Sequence, residues 1–143
     1  MEYGVMLVRI LIATLLSGLI GYERETRKTY VRGTAGLRTH MLVGLGAVLL
    51  TLLSLYTFPE SYGTQADLGR IVSYIVLGIG FLGAGTIMSM KGRIVGLTTA
   101  ASIWLVAAVS ISVGLGAFFP ALIVTAIALL VLEMWRLEKN EDQ

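Results

Sequence analysis

Cysteine is absent from the 143 residues, and histidine occurs once. No disulfide framework, thiol nucleophile or thiolate metal site is therefore available. A zinc site built on several histidines is excluded as well. Proline occurs twice and charged side chains make up 14% of the chain, well below the ~25% of an ordinary globular domain. What fills the space is apolar. The chain is 56% hydrophobic with a mean hydropathy of +0.83, which no water-soluble domain of this length sustains.

The apolar residues fall into five runs, at about 5–21, 41–58, 71–90, 97–115 and 118–137. A helix needs about 20 apolar residues to cross the hydrocarbon core of a bilayer. The sequence therefore predicts an all-α polytopic membrane bundle of five transmembrane helices, forming one transmembrane domain over 1–143. The first run lacks the features of a cleaved signal. Glu2 replaces the basic n-region, Arg9 is the first cation, and no Ala-x-Ala-like site follows. It is expected to be a retained helix.

Cations set the expected orientation. Arg24, Arg27, Lys28, Arg32 and Arg38 lie between the first two helices, Lys91 and Arg93 between the third and fourth, and Arg136 and Lys139 in the tail. Only Arg9 and Arg70 fall on the other side. Cytoplasmic loops collect Lys and Arg. An N-terminus outside and a C-terminus in the cytoplasm are expected, with Arg9, Asp67 and Arg70 near the outer face. Arg9 is expected to snorkel outward.

A helix pair is written twice. Gly18-Leu19-Ile20-Gly21 matches Gly80-Phe81-Leu82-Gly83, and Ala35-Gly36-Leu37-Arg38-Thr39 matches Val95-Gly96-Leu97-Thr98-Thr99. Two crossings separate the copies, so the repeat is parallel. The fifth helix, with Pro120 in its first turn, is an appended closing helix. Convergence of two small-residue hairpins is the plainer reading.

Helices in lipid associate through close-packed small residues. Ala13, Ser17 and Gly21 form such a stripe on the first helix, and Gly78, Gly80, Gly83, Ala84 and Gly85 crowd the third. Gly78 to Gly83 satisfies G-x-G-x-x-G. No strand precedes that run and no acidic residue follows about 20 positions later, so it is not a dinucleotide site. Helix packing is its expected meaning. A locally broken helix presenting carbonyls to an ion or substrate, with Thr98 and Thr99 nearby, is the functional alternative.

The two copies differ in polarity. Glu23-Arg24-Glu25 in the first aligns with Gly85-Thr86-Ile87, and Arg38 and His40 align with Thr98 and Ala100. A specialised cluster of Glu23, Arg24, Glu25, Arg38, Thr39 and His40 is expected at the cytoplasmic face. Carboxylates are misplaced at a helix C-terminus and cations at an N-terminus, so Glu23 or Glu25 is predicted to pair with Arg38. The cluster reads either as a charge-paired clasp at the lipid boundary or as a recognition site for an anion, headgroup or partner loop. His40 is expected to be a hydrogen-bonding helix residue. One histidine and two carboxylates cannot complete octahedral ligation alone, and no metal or cofactor is expected. Glu133, with Trp135 and Arg136, reads as an interfacial anchor, and Trp104 as a packing residue. No nucleophile–base pair stands out, so an enzyme is not expected.

These motifs resemble the MgtC/SapB family of bacterial membrane proteins. The resemblance rests on Gly21-Tyr22-Glu23-Arg24-Glu25, Ala35-Gly36-Leu37-Arg38-Thr39-His40 with Leu42 to Ala47, Arg70, Gly78 to Gly85, and Gly96 to Ala101 through Trp104. It covers residues 9 to about 117 in unbroken order. It implies a bacterial inner-membrane protein linked to growth under Mg²⁺ limitation and, in pathogens, to survival inside host cells. It also implies modulation of other membrane machinery, including ATP synthase, more than Mg²⁺ transport. Several family members continue into an ACT-like soluble domain, whose roles are not carried over to this membrane domain. The link Thr29 to Thr34 also departs from the family's shorter or proline-containing link.

The leading expectation is a non-enzymatic membrane regulator that docks on other integral membrane proteins and forms a homo-oligomer in a bilayer with anionic headgroups. No nucleic-acid partner is expected. A small ion or solute transporter or channel, with its pathway along the glycine-rich third helix, is the alternative. A module sensing lipid or anion through Arg38, His40 and the basic link is a third.

Overall fold

The computed structural model describes residues 3–26, 35–57, 65–90 and 93–134. Among these described residues five helices follow in order: α1 (Tyr3–Thr26), α2 (Leu37–Thr57), α3 (Gln65–Gly85), α4 (Leu97–Gly114) and α5 (Phe118–Glu133). Three of them, α1, α2 and α4, are long and apolar enough to cross a membrane, while α3 and α5 contain shorter apolar stretches. Unlike a soluble bundle, this one is apolar on its outside as well as in its core. Leu7, Leu11, Leu15, Leu42, Leu77, Phe81, Phe119 and Leu130 are exposed on its outside, as a hydrocarbon solvent requires.

Several helix boundaries differ from the sequence reading, and α3 also begins at Gln65 rather than Ile71. Helix α2 starts at Leu37 rather than Met41, and α1 runs on to Thr26. Polar residues 22–26 and 37–40 therefore add helical turns beyond the apolar runs. The third helix stops at Gly85 instead of continuing to Met90. Thr86 ends it: its N–H and Oγ1 both donate to the Gly83 carbonyl, at 3.0 and 2.7 Å. An antiparallel hairpin follows, β1 (Met88–Met90) and β2 (Arg93–Val95), with Met88 opposite Val95. The sequence reading holds no strand here, because a three-residue β-ribbon is too short to show alternation.

Helix α4 is the axis of the fold and touches α1, α2, α3 and α5. Both its ends are set by glycine. Gly96 precedes it at φ 93°, where a Cβ would overlap the Thr86 carbonyl. At the far end Gly116 has φ 86°, its N–H bonds to Val113 O, and the Ala117 N–H bonds to Ser112 O. That pair of bonds is a Schellman ending, which favours glycine because an L side chain is strained at positive φ.

The seam where α1, α2 and α4 meet is built from small residues. A Cβ on Gly44 would overlap the Ser17 hydroxyl and lie 2.9 Å from Ser110 Oγ, and one on Gly114 would lie 2.8 Å from Thr51 Cγ2. These glycines let three backbones approach until Ser17 and Ser110 share a buried hydrogen bond of 3.2 Å. The stripe Ala13, Ser17 and Gly21 is buried here.

Aligned positions of the two helix pairs make matching contacts. A Cβ on Gly21 would meet His40, and one on Gly83 would meet Ala100, the position aligned with His40. His40 N–H donates to Gly36 O at 3.1 Å, and Ala100 N–H to Gly96 O at 2.8 Å.

Candidate functional site

Three helix ends converge at one end of the seam: the C-terminus of α1 and the N-termini of α2 and α4. Helix α1 delivers Glu23 and Arg24 there, with side chains only 12% and 14% exposed. Arg24 Nη2 donates to Thr99 Oγ1 in the first turn of α4 at 3.2 Å, and its Nη1 lies 4.0 Å from Glu23 Oε2. Thr99 itself is buried. One arginine therefore ties the end of the first helix to the start of the fourth.

His40 is fully buried beside them. Its Nδ1 lies 2.8 Å from Gly36 O, one turn back in its own helix, and its Nε2 lies 2.9 Å from Ser102 Oγ on α4. Ser102 Oγ in turn donates to Thr99 O at 2.9 Å. Gly21 makes room for this ring, since a Cβ there would lie 2.8 Å from His40 Cβ and 2.9 Å from Leu37 Cα.

Glu25 takes a different part from the one read in sequence. No ion pair joins Arg38 to Glu23 or Glu25 among the described residues. Glu25 Oε2 instead accepts the Leu37 N–H at 2.9 Å, so the carboxylate sits on an unsatisfied first-turn amide of α2. Attraction between α1's acid and α2's positive end is real, but its partner is backbone. Arg38 and Thr39 are exposed, pointing away from the seam while His40 points into it. Thr98 is exposed where its neighbour Thr99 is buried. The link cations Arg27, Lys28, Arg32 and Lys91 lie outside the described residues, as do Trp135 and Arg136.

At the opposite end of the seam, Arg9 turns inward rather than snorkelling out. Its Nη1 donates to Gly114 O at 2.7 Å, supplying a cation to the C-terminal carbonyls of α4. Sequence spacing gave no sign of that partner 105 positions away. Arg70 is exposed, and the side chain of Asp67 lies outside the description. Trp104 is 47% exposed, so it faces outward instead of packing within the bundle. Glu133 is half-buried at the end of α5.

The glycines of α3 divide. A Cβ on Gly83 would lie 3.5 to 3.8 Å from Ala100, whereas one at Gly78, Gly80 or Gly85 would meet nothing within 4 Å. The helix runs unbroken to Gly85, and these three glycines face outward from the chain. Between the Arg24 and Arg9 ends, the seam is closed by Ile20, Val48, Val106 and Val113, each at 0% exposure. Among the described residues no three acidic or histidine side chains converge to hold a metal ion.

These features define a polytopic membrane bundle with a polar knot at one end of its central seam. The chain belongs to the MgtC family, whose model matches residues 10–140. It is 45% identical over 123 residues to Protein MgtC of Salmonella typhimurium, covering 86% of this chain and 49% of that protein. It is 39% identical over 132 residues to the Escherichia coli K12 protein named "Putative magnesium transporter YhiD", covering 90% of this chain and 60% of that one. A Synechocystis protein, slr0014, is 39% identical over 123 residues. The chain thus spans only about half to three fifths of these relatives' length. No solved structure matches it.

Proposed function

We propose that this chain is a non-enzymatic regulator in the bacterial inner membrane, tied to growth under magnesium limitation, that acts on other integral membrane proteins. Its N-terminus lies outside and its C-terminus in the cytoplasm, so the Glu23–Arg24–His40 knot faces the cytoplasm beside the basic link and anionic headgroups. The observation that carries the reading is the closed seam: the knot and Arg9 are separated by fully buried Ile20, Val48, Val106 and Val113. Charged groups held at the ends of a sealed bundle suit a fixed docking shape better than a conduit. The outward glycines Gly78, Gly80 and Gly85 supply a surface against which another helix, from a partner or a second copy, can lie closely.

Transport is the rival reading, and the name of the E. coli relative favours it. In that reading the glycine-rich face of α3 lines a path completed by another copy. Purified protein in liposomes separates the two. Regulation predicts no saturable Mg²⁺, proton or anion flux above empty vesicles, together with loss of low-Mg²⁺ growth support in cells when Gly78 or Gly80 is replaced by Leu. Saturable flux overturns the first reading. A reporter fused to the C-terminus and active only outside the cytoplasm overturns the orientation.

A further inference from the structure

The hydrogen bonds around His40 contain one proton too few for a neutral ring. Gly36 O can only accept, so Nδ1, 2.8 Å away, must carry a hydrogen. Ser102 has a single hydroxyl hydrogen and two acceptors within reach, Thr99 O and His40 Nε2, both at 2.9 Å. If the hydroxyl points at Thr99 O, Nε2 must also be protonated and the ring is an imidazolium making every bond. If the ring is neutral, the hydroxyl must swing to Nε2 and release Thr99 O. The alternative neutral tautomer would set the Nδ1 lone pair against the Gly36 carbonyl and is excluded.

We propose that His40 is a proton-binding switch between α2 and α4, whose charge state is read by the Ser102 hydroxyl and passed to the first turn of α4. Nε2 takes the proton, and Ser102 turns its own hydrogen onto Thr99 O. No other group changes its covalent state. The same turn of α4 carries Thr99 Oγ1, the acceptor for Arg24, so the switch reaches the charged end of α1. Charged groups of both signs stand on the elements around it. Glu23 and Glu25 oppose Arg24 at the end of α1, Arg38 stands on α2 itself, and Glu133 ends α5. Helix α4 contributes only hydroxyls, since 97–114 holds no charged residue. This inference is independent of whether the chain regulates or transports.

The single histidine makes the test direct. Protein labelled with ¹⁵N in the imidazole, carried on a histidine-free affinity tag and placed in nanodiscs, gives one pair of ring-nitrogen signals. We expect an Nδ1–H neutral ring at pH 8 converting to a doubly protonated ring by pH 5. We also expect a melting temperature that changes by about 3 °C or more over that range, a change absent in His40→Gln and reduced in Ser102→Ala. A ring fixed in one state from pH 5 to 8 overturns the switch, whether or not the variants fold. So does a pH dependence of melting that persists undiminished in either variant.

Discussion

Gly21 and His40 stand in contact across the α1–α2 crossing, and the absence of a side chain on one is what admits the other. A Cβ on Gly21 would lie 2.8 Å from His40 Cβ and 2.9 Å from the Leu37 backbone. Backbone cannot step aside as a flexible side chain can. Gly21→Ala is therefore expected to destabilise the protein by about 1–3 kcal/mol, as overpacking does. Thermal melting in detergent measures it. A melting temperature at or above wild type would refute the close crossing.

Gly78, Gly80 and Gly85 predict the opposite. With nothing within 4 Å of the added carbon, alanine at each is expected to leave melting unchanged or raise it, by up to about 1 kcal/mol each from helix propensity. Gly83→Ala, at ordinary contact distance from Ala100, should be nearly neutral. Destabilisation of purified monomer by Gly78→Ala would show that this face packs within the chain.

Ser17 and Ser110 share their hydrogen bond in the centre of the seam. Removing one hydroxyl leaves its partner buried without it, whereas removing both leaves no orphan. Ser17→Ala and Ser110→Ala are expected to couple by about 0.5–1 kcal/mol, with the double variant less damaged than the sum of the singles. Strict additivity in chemical unfolding would show that the hydroxyls contribute independently.

Arg9 and Gly116 hold the other end of α4. Arg9→Met removes the cation bonded to Gly114 O and is expected to cost about 1–3 kcal/mol, the range for a hydrogen bond to a charged group. Gly116→Ala forces an L residue to φ 86° and is expected to cost about 1 kcal/mol or more. Both should raise proteolytic cleavage between α4 and α5 before they lower melting of the whole bundle. Cleavage at the wild-type rate in both variants would remove Arg9 from the role of a cap.

The helices were legible because a bilayer demands length and apolarity, and residues such as Leu11, Leu49 and Leu130 advertise both. Two of the close crossings were legible because glycines mark where helices approach, and a Cβ on Gly21 or Gly83 would meet the aligned positions His40 and Ala100. Arg38 was misread for a definite reason. Charge and helix polarity place an acid near the start of α2, but they do not say which way a side chain points. Two residues of advance along a helix turn the side chain by about 200°, enough to send Arg38 outward and His40 inward. The Glu25 partner was hidden because backbone amides leave no trace in residue type. Arg9's bond to Gly114 spans most of the chain and had no local signal.

Helix α4 fills the hollow that α1 and α2 leave between them, yet ribosomes release it after both. Until residue 114 has emerged, Ser17, His40 and Thr51 have no fourth helix to lie against and must wait in the bilayer or beside an insertion factor. A nascent chain stalled before α4 should therefore be the form most readily captured by membrane quality-control proteases. In this protein, the late arrival of one helix sets the moment at which the early ones become safe.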